Sequence, residues 1–278
     1  AKAAGSCSSE NRALPAKNFS IRQNQILLYN KLPAGATGAG QEKTGGIYMR
    51  EDICTIPISE VFEPKEGCPI CRMRDTLENR VTEYITGAAM MEPDIREVTN
   101  VQGFCYPHFS MMLKKGSRLS NALILESHLK EIETSVLRLD KRGVPGKKEV
   151  EAAKKLTESC FVCEQIQWAM VRMFDTIYRL WGKEEEFREL FSQQPYLCLP
   201  HYTALLEGAQ KGVGKKNYGA FAQAASDLVK NYLDGLQKDV THFCSMFDYR
   251  NIGGDFGNSK DSIERSIQFL TSRIPEGQ

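Results

Sequence analysis

Cys68-Pro-Ile-Cys71 is followed, after 33 residues, by Cys105-Tyr-Pro-His108, and both motifs return as Cys160-Phe-Val-Cys163 and, after 34 residues, Cys198-Leu-Pro-His201. The two sets are offset by 92 residues at the first cysteine and by 93 at the histidine, and they absorb six of the nine cysteines and two of the four histidines. Repetition at that period implies two copies of one supersecondary unit. A Cys-x-x-Cys turn lets two thiolates grip one ion at about 2.3 Å from each sulfur. Residues three apart at the start of a helix share a face, so Cys105 with His108, and Cys198 with His201, supply two further donors. Pro107 and Pro200 stand immediately before the histidines, where a fixed φ suits the first helical turn and the missing N–H costs little. Each set reads as a closed structural site: Cys68, Cys71, Cys105 and His108 around one ion, Cys160, Cys163, Cys198 and His201 around another. Three thiolates and an imidazole suit zinc, two ions per chain, better than an iron–sulfur cluster, which takes four cysteines in most proteins. A second reading treats Cys68/Cys71 and Cys160/Cys163 as redox dithiols whose thiol pKa values fall at helix N-termini. That reading leaves the Cys-x-Pro-His motifs without a role.

The 278 residues are 41% hydrophobic and 26% charged, a balance that suits a soluble globular protein of one or two domains. The longest apolar runs, such as Ala122-Leu123-Ile124-Leu125, are far too short to cross a bilayer. Residues 1–25 lack the apolar core of a signal peptide. Nine cysteines in a chain of this length and without a secretory mark point to metal, not to a disulfide framework, so a cytoplasmic location without membrane contact is expected. Residues 1–48 hold six basic and two acidic side chains; the remaining 30 basic and 33 acidic residues leave the body slightly negative. A body of that charge offers no broad field for a phosphate backbone, and any nucleic-acid contact would need a local patch such as 141–148 or 211–216.

Between the motifs the chain reads as helical, and the expected class is all-α: two pseudo-repeated units of about 92 residues, each organised around its own metal site, sharing one core. The expected divisions are a disordered extension over 1–48, a first unit over 49–146 ending at Val144-Pro145-Gly146, and a second over 147–278. Helical spacing marks Leu119, Leu123, Leu129, Ile132, Val136 and Leu139 as one apolar stripe, and Ile166, Met170, Phe174, Ile177 and Trp181 as another. Phe221, Leu228, Tyr232, Leu236, Val240, Phe243 and Phe247 line a long later helix. A last helix starting near Asp261, with Glu264 as a capping-box partner, is expected to bury Ile263, Ile267 and Leu270. Strand signals are confined to 54–58 and 97–101.

Residues 1–48 have no amphipathic period and differ in composition from the rest. Gly45-Gly46-Ile47-Tyr48-Met49 could be encoded by a GGAGG tract, a spacer and ATG, so translation is expected to begin at Met49. Intact mass of the protein from its native source tests this, and a product retaining 1–48 sinks it.

Thr55-Ile-Pro-Ile-Ser-Glu-Val-Phe62, Cys68-Pro-Ile-Cys71, Met90-Met-Glu-Pro-Asp-Ile-Arg96, Gly103-Phe-Cys-Tyr-Pro-His-Phe109 and the Phe247-Asp-Tyr-Arg-Asn251 segment together resemble a bacterial and archaeal family known only as a domain of unknown function. The resemblance covers roughly 49–272 and implies the paired cysteine motifs; it implies no activity. Where the second set carries Lys183-Glu-Glu-Glu-Phe187, the first carries the richer 90–96 segment, so Met91, Glu92, Asp94 and Arg96 are candidates for a partner or ligand surface. A plainer reading makes Asp94 a helix cap and Arg96 its counter-ion. Neither His128 nor His242 has a cysteine or serine placed to make a nucleophile pair, and neither a phosphate-cradling glycine loop nor a dinucleotide fingerprint is present. The expected function is a zinc-stabilised, non-enzymatic module that binds a macromolecular partner. Thiol-redox chemistry and nucleic-acid binding are the alternatives.

Overall fold

The computed structural model describes residues 56–139, 143–251 and 253–275; the expected extension over 1–48 and the start at Met49 lie outside them. The described residues are all-helical, with no strand and one isolated bridge between Leu139 and Pro145. In chain order the helices are α1 (Ile56–Phe62), α2 (Pro69–Thr86), α3 (Pro93–Gln102), α4 (Tyr106–Lys115), α5 (Arg118–Ser135), α6 (Lys147–Glu158), α7 (Phe161–Lys183), α8 (Glu185–Ser192), α9 (Leu199–Gly212), α10 (Lys215–Ser245) and α11 (Ser262–Thr271). Of the segments that carried strand signals, 97–101 is helical and 56–58 opens α1, while 54–55 lie outside the described residues. In α3 a proline in the first turn sets φ, and Ile95, Thr99 and Gln102 bury one face at helical spacing, so packing overrides the β-branched composition of 97–101.

The chain divides into two compact units whose boundaries fall inside α2 and α7: one over 76–169, the other assembled from chain on either side of it. This differs from the expected break at 144–146, which lies within the first of these units. In the 76–169 unit, α3 and α5 pack against each other and against α6, and α4 packs on α5. Its core contains Val81, Tyr84, Ile85, Ile95, Phe104, Met112, Ile124, Phe161 and Val162. In the other unit, α9, α10 and α11 pack on one another, and α8 packs on α10. Its centre is an aromatic cluster: Trp181 stands edge-on to Phe191 at 5.2 Å and to Phe221 at 5.1 Å, and Phe62 from α1 meets Phe187 at 5.3 Å.

Two apolar stripes read from the sequence are displaced from the buried faces. In α5 the buried residues are Ser120, Asn121, Ile124 and His128, while Leu119 and Leu129 are exposed. In α11 the buried residues are Ser262 and Phe269, whereas Ile263, Ile267 and Leu270 are exposed, and Asp261 makes no side-chain capping bond.

Candidate metal centres

Four short motifs start four helices in the same way. The carbonyls of Cys68, Cys105, Cys160 and Cys198 each accept from the N–H four residues on, which places each cysteine at the mouth of its helix. The second residue of each pair, three positions later, then emerges from the first turn on the same side. In α4 and α9 the proline before the histidine lies in that first turn, where it displaces no hydrogen bond.

The eight side chains gather into two clusters, but the partners are crossed relative to the sequence expectation. Cys68 and Cys71 meet Cys198 and His201, while Cys105 and His108 meet Cys160 and Cys163; in each set the donor atoms lie within 4.8 Å of one another. Packing before each motif explains the exchange. Gln194 Nε2 donates to the Phe62 carbonyl at 2.8 Å, and Phe62 sits against Phe187 and Phe191, so the chain leading to Cys68 is fastened beside the chain leading to Cys198. Likewise the Phe161 N–H donates to the Gly103 carbonyl at 3.0 Å, and the Ser159 hydroxyl to the Gln102 carbonyl at 2.7 Å. Those bonds set Cys160 beside Cys105.

The separations match a tetrahedron. Metal–ligand bonds of about 2.3 Å to sulfur and about 2.0 Å to nitrogen imply edges of about 3.8 Å between sulfurs and about 3.5 Å from sulfur to nitrogen. Cys105 and Cys163 sulfurs lie 3.8 Å apart, and Cys71 and Cys198 sulfurs 3.5 Å. His108 Nδ1 is 3.1, 3.2 and 3.5 Å from the sulfurs of Cys105, Cys160 and Cys163. His201 Nδ1 is 3.1, 3.3 and 3.8 Å from those of Cys198, Cys71 and Cys68. Both clusters therefore present three sulfurs and an Nδ1, and both could hold a metal ion.

Electrostatics favour a cation at the centre. Sulfurs packed this closely cannot all ionise: hydrogen bonds from Cys198, Cys71 and His201 overcome burial and hold Cys68 well below the ordinary thiol value, while the bonds to Cys198 and Cys68, with burial, push Cys71 up. The bond to Cys68 raises Cys198 to about 12. Around His108, burial opposes protonation, but bonds to Cys105, Cys160 and Glu78 outweigh it and lift the imidazole to about 11. With a dication bound, three thiolates leave each set at a net charge of about −1, and two helix N-termini per cluster add favourable positive potential.

The surroundings differ between the clusters. Glu78 Oε1 accepts from His108 Nε2 at 2.9 Å, with both side chains largely buried, which fixes the tautomer that turns Nδ1 toward the sulfurs. Among the described residues no carboxylate bonds His201. Beside the other cluster, Arg72 follows Cys71 in α2 with all three guanidinium nitrogens buried and no hydrogen-bond acceptor; Glu66 approaches only to 3.8 Å. The exposed Glu66 carboxylate is its ion-pair partner. Neither Glu78 nor Arg72 was singled out in the sequence. A helical count of seven from Cys71 reaches Glu78, but the corresponding position in the second set is Met170, so the motif comparison gave no signal.

The 90–96 segment makes internal bonds. Arg96 donates to the carbonyls of Met90 and Leu123, which tether the 3₁₀ turn at Ala88–Met91 and α5. Glu92 accepts from Tyr84, whose phenol burial and the Glu92 carboxylate push up to about 12. Asp94 lies in the first turn of α3 rather than at its cap, and Met91 is 69% exposed. Of the unassigned thiols, Cys244 is exposed, and Cys7 and Cys54 lie outside the described residues. No helix among the described residues is long and apolar enough to cross a membrane.

Helices that carry metal-type donors at their mouths define an all-α protein with two Cys₃His clusters. Within that class the chain belongs to the family of unknown function DUF6062, whose pattern matches residues 49–277. No curated protein and no solved structure matches it significantly.

Proposed function

We propose that this protein is a zinc-stabilised helical module that works by binding another macromolecule rather than by catalysis. The observation that carries the reading is the closure of both clusters: each offers four donors at tetrahedral separations, and a filled Cys₃His set keeps no open position for water or substrate. Cys68, Cys71, Cys198 and His201 hold one ion, and Cys105, His108, Cys160 and Cys163 the other. The donor chemistry selects zinc over magnesium or calcium, which take oxygen ligands. Exposed leucines on and after α5 (Leu119, Leu129, Leu137 and Leu139) support a role in association.

Zinc content and thiol titration of the native protein test the reading. Two zinc ions per chain, with the six ligand cysteines held as zinc thiolates and no disulfide in the protein as isolated, is the expected result. Metal-free protein whose Cys68/Cys71 and Cys160/Cys163 pairs cycle readily between thiol and disulfide would instead establish dithiol redox chemistry. Retention on nucleic acid that falls steeply with salt would favour the basic residues at 211–216 as a contact.

A further inference from the structure

The two clusters differ in what reaches their sulfurs. Cys68, Cys71 and Cys198 are 4%, 7% and 0% exposed, so the sulfurs of that set are closed off. In the other set only Cys160 is buried; Cys105 and Cys163 are both partly open to solvent, and Tyr106, next to Cys105, is 84% exposed. The open pair stands 3.8 Å apart, sulfur to sulfur. Glu78 bears on the same site through His108, adding a negative charge that keeps its thiolates electron-rich.

Resting on the zinc reading, we propose that Cys105 and Cys163 form a peroxide-modifiable thiol pair, and that their oxidation opens the 76–169 cluster while the other stays closed. Thiolate oxidation follows access and electron density, and both favour this pair. One thiolate attacks a peroxide oxygen, the O–O bond breaks, and a sulfenic acid forms with loss of hydroxide. The second thiolate then attacks that sulfur, forming the S–S bond and expelling a second hydroxide. Two electrons pass from the sulfurs to the peroxide. Joining these sulfurs removes half of the donor set and leaves only Cys160 and His108. The linkage joins α7 to the mouth of α4, not the two cysteines within one Cys-x-x-Cys motif.

The test uses the full chain. Zinc content is measured first; hydrogen peroxide is then added, zinc release is followed with a colorimetric chelator, and disulfides are mapped by peptide mass spectrometry. The expected result is one equivalent released about tenfold or more faster than the second, with a Cys105–Cys163 cross-link. Simultaneous release of both equivalents, or first cross-links at Cys160–Cys163 or Cys68–Cys71, overturns the pairing and leaves the zinc reading intact. Protein that carries no zinc at the outset overturns both.

Discussion

At the scale of single residues, Glu78 and Gly103 decide how one cluster is held. Glu78 orients His108, and removing such a carboxylate typically lowers metal affinity about 10- to 100-fold. On the zinc reading, Glu78→Ala is therefore expected to weaken one zinc of the two by that factor in chelator competition; equal weakening of both, or of neither, contradicts the role. Gly103 ends α3 at φ 63°, and a Cβ there would stand 3.1 Å from His128 and 3.3 Å from Leu156. Its carbonyl accepts the Phe161 N–H that registers Cys160 beside Cys105. Gly103→Ala should destabilise the protein by about 1–3 kcal/mol, read as a fall in denaturation midpoint at constant slope. The eight side chains that gather in the two clusters were marked by residue type and spacing alone. Their partners were not, because a spacing of 33 residues favours the nearer motif, whereas pairing is set by contacts such as Gln194 to Phe62 that no local pattern announces.

At the scale of elements, helix existence was largely readable and helix orientation was less so. Asp261 marked the start of α11 although its side chain makes no capping bond there. The buried face of α5 was hidden because it is polar. Asn121 Nδ2 donates to the carbonyls of Met112 and Ser117, and His128 Nδ1 donates to the carbonyl of Asn100. These bonds tie α5 to α3 and α4 through side chains that a hydrophobic period cannot count. In α9, Gly208 and Gly212 lie against the ring of Tyr178, whose hydroxyl donates to the Leu205 carbonyl at 2.8 Å. An alanine at 212 gains about 1 kcal/mol of helix propensity, but its methyl would overlap the ring, and overpacking costs about 1–3 kcal/mol. The clash wins where the ring is anchored at both ends. Gly212→Ala should lower the melting temperature, whereas Gly219→Ala, with open space around it in α10, should raise it slightly or leave it unchanged.

At the scale of the whole molecule, the zinc reading makes metal binding and folding one equilibrium. Structural zinc contributes about 10–16 kcal/mol of apparent binding energy per site at neutral pH, against a net stability of about 5–15 kcal/mol for an ordinary protein. Chelation at neutral pH should therefore collapse helical circular dichroism, and added zinc should restore it. Full retention of helix in metal-free protein would show that packing alone suffices. The sequence announced an all-helical body with metal-type clusters. It could not announce a unit assembled from chain on either side of the other, because the aromatic contacts of Phe62 with Phe187 and Phe191 join residues far apart in order.

Crossed partners make the sites concentric along the chain. His108 and Cys160 are 52 positions apart, whereas Cys71 and Cys198 are 127 apart, the inner span lying wholly inside the outer. A ribosome thus delivers every donor of the inner site before Cys198 and His201 of the outer one appear. Chain entropy alone separates the two closures by only about 0.8 kcal/mol, and prior completion of the inner fold shortens the outer search further. Refolding of the intact chain in limiting zinc should load Cys105, His108, Cys160 and Cys163 first, with the outer set following as a second, slower phase.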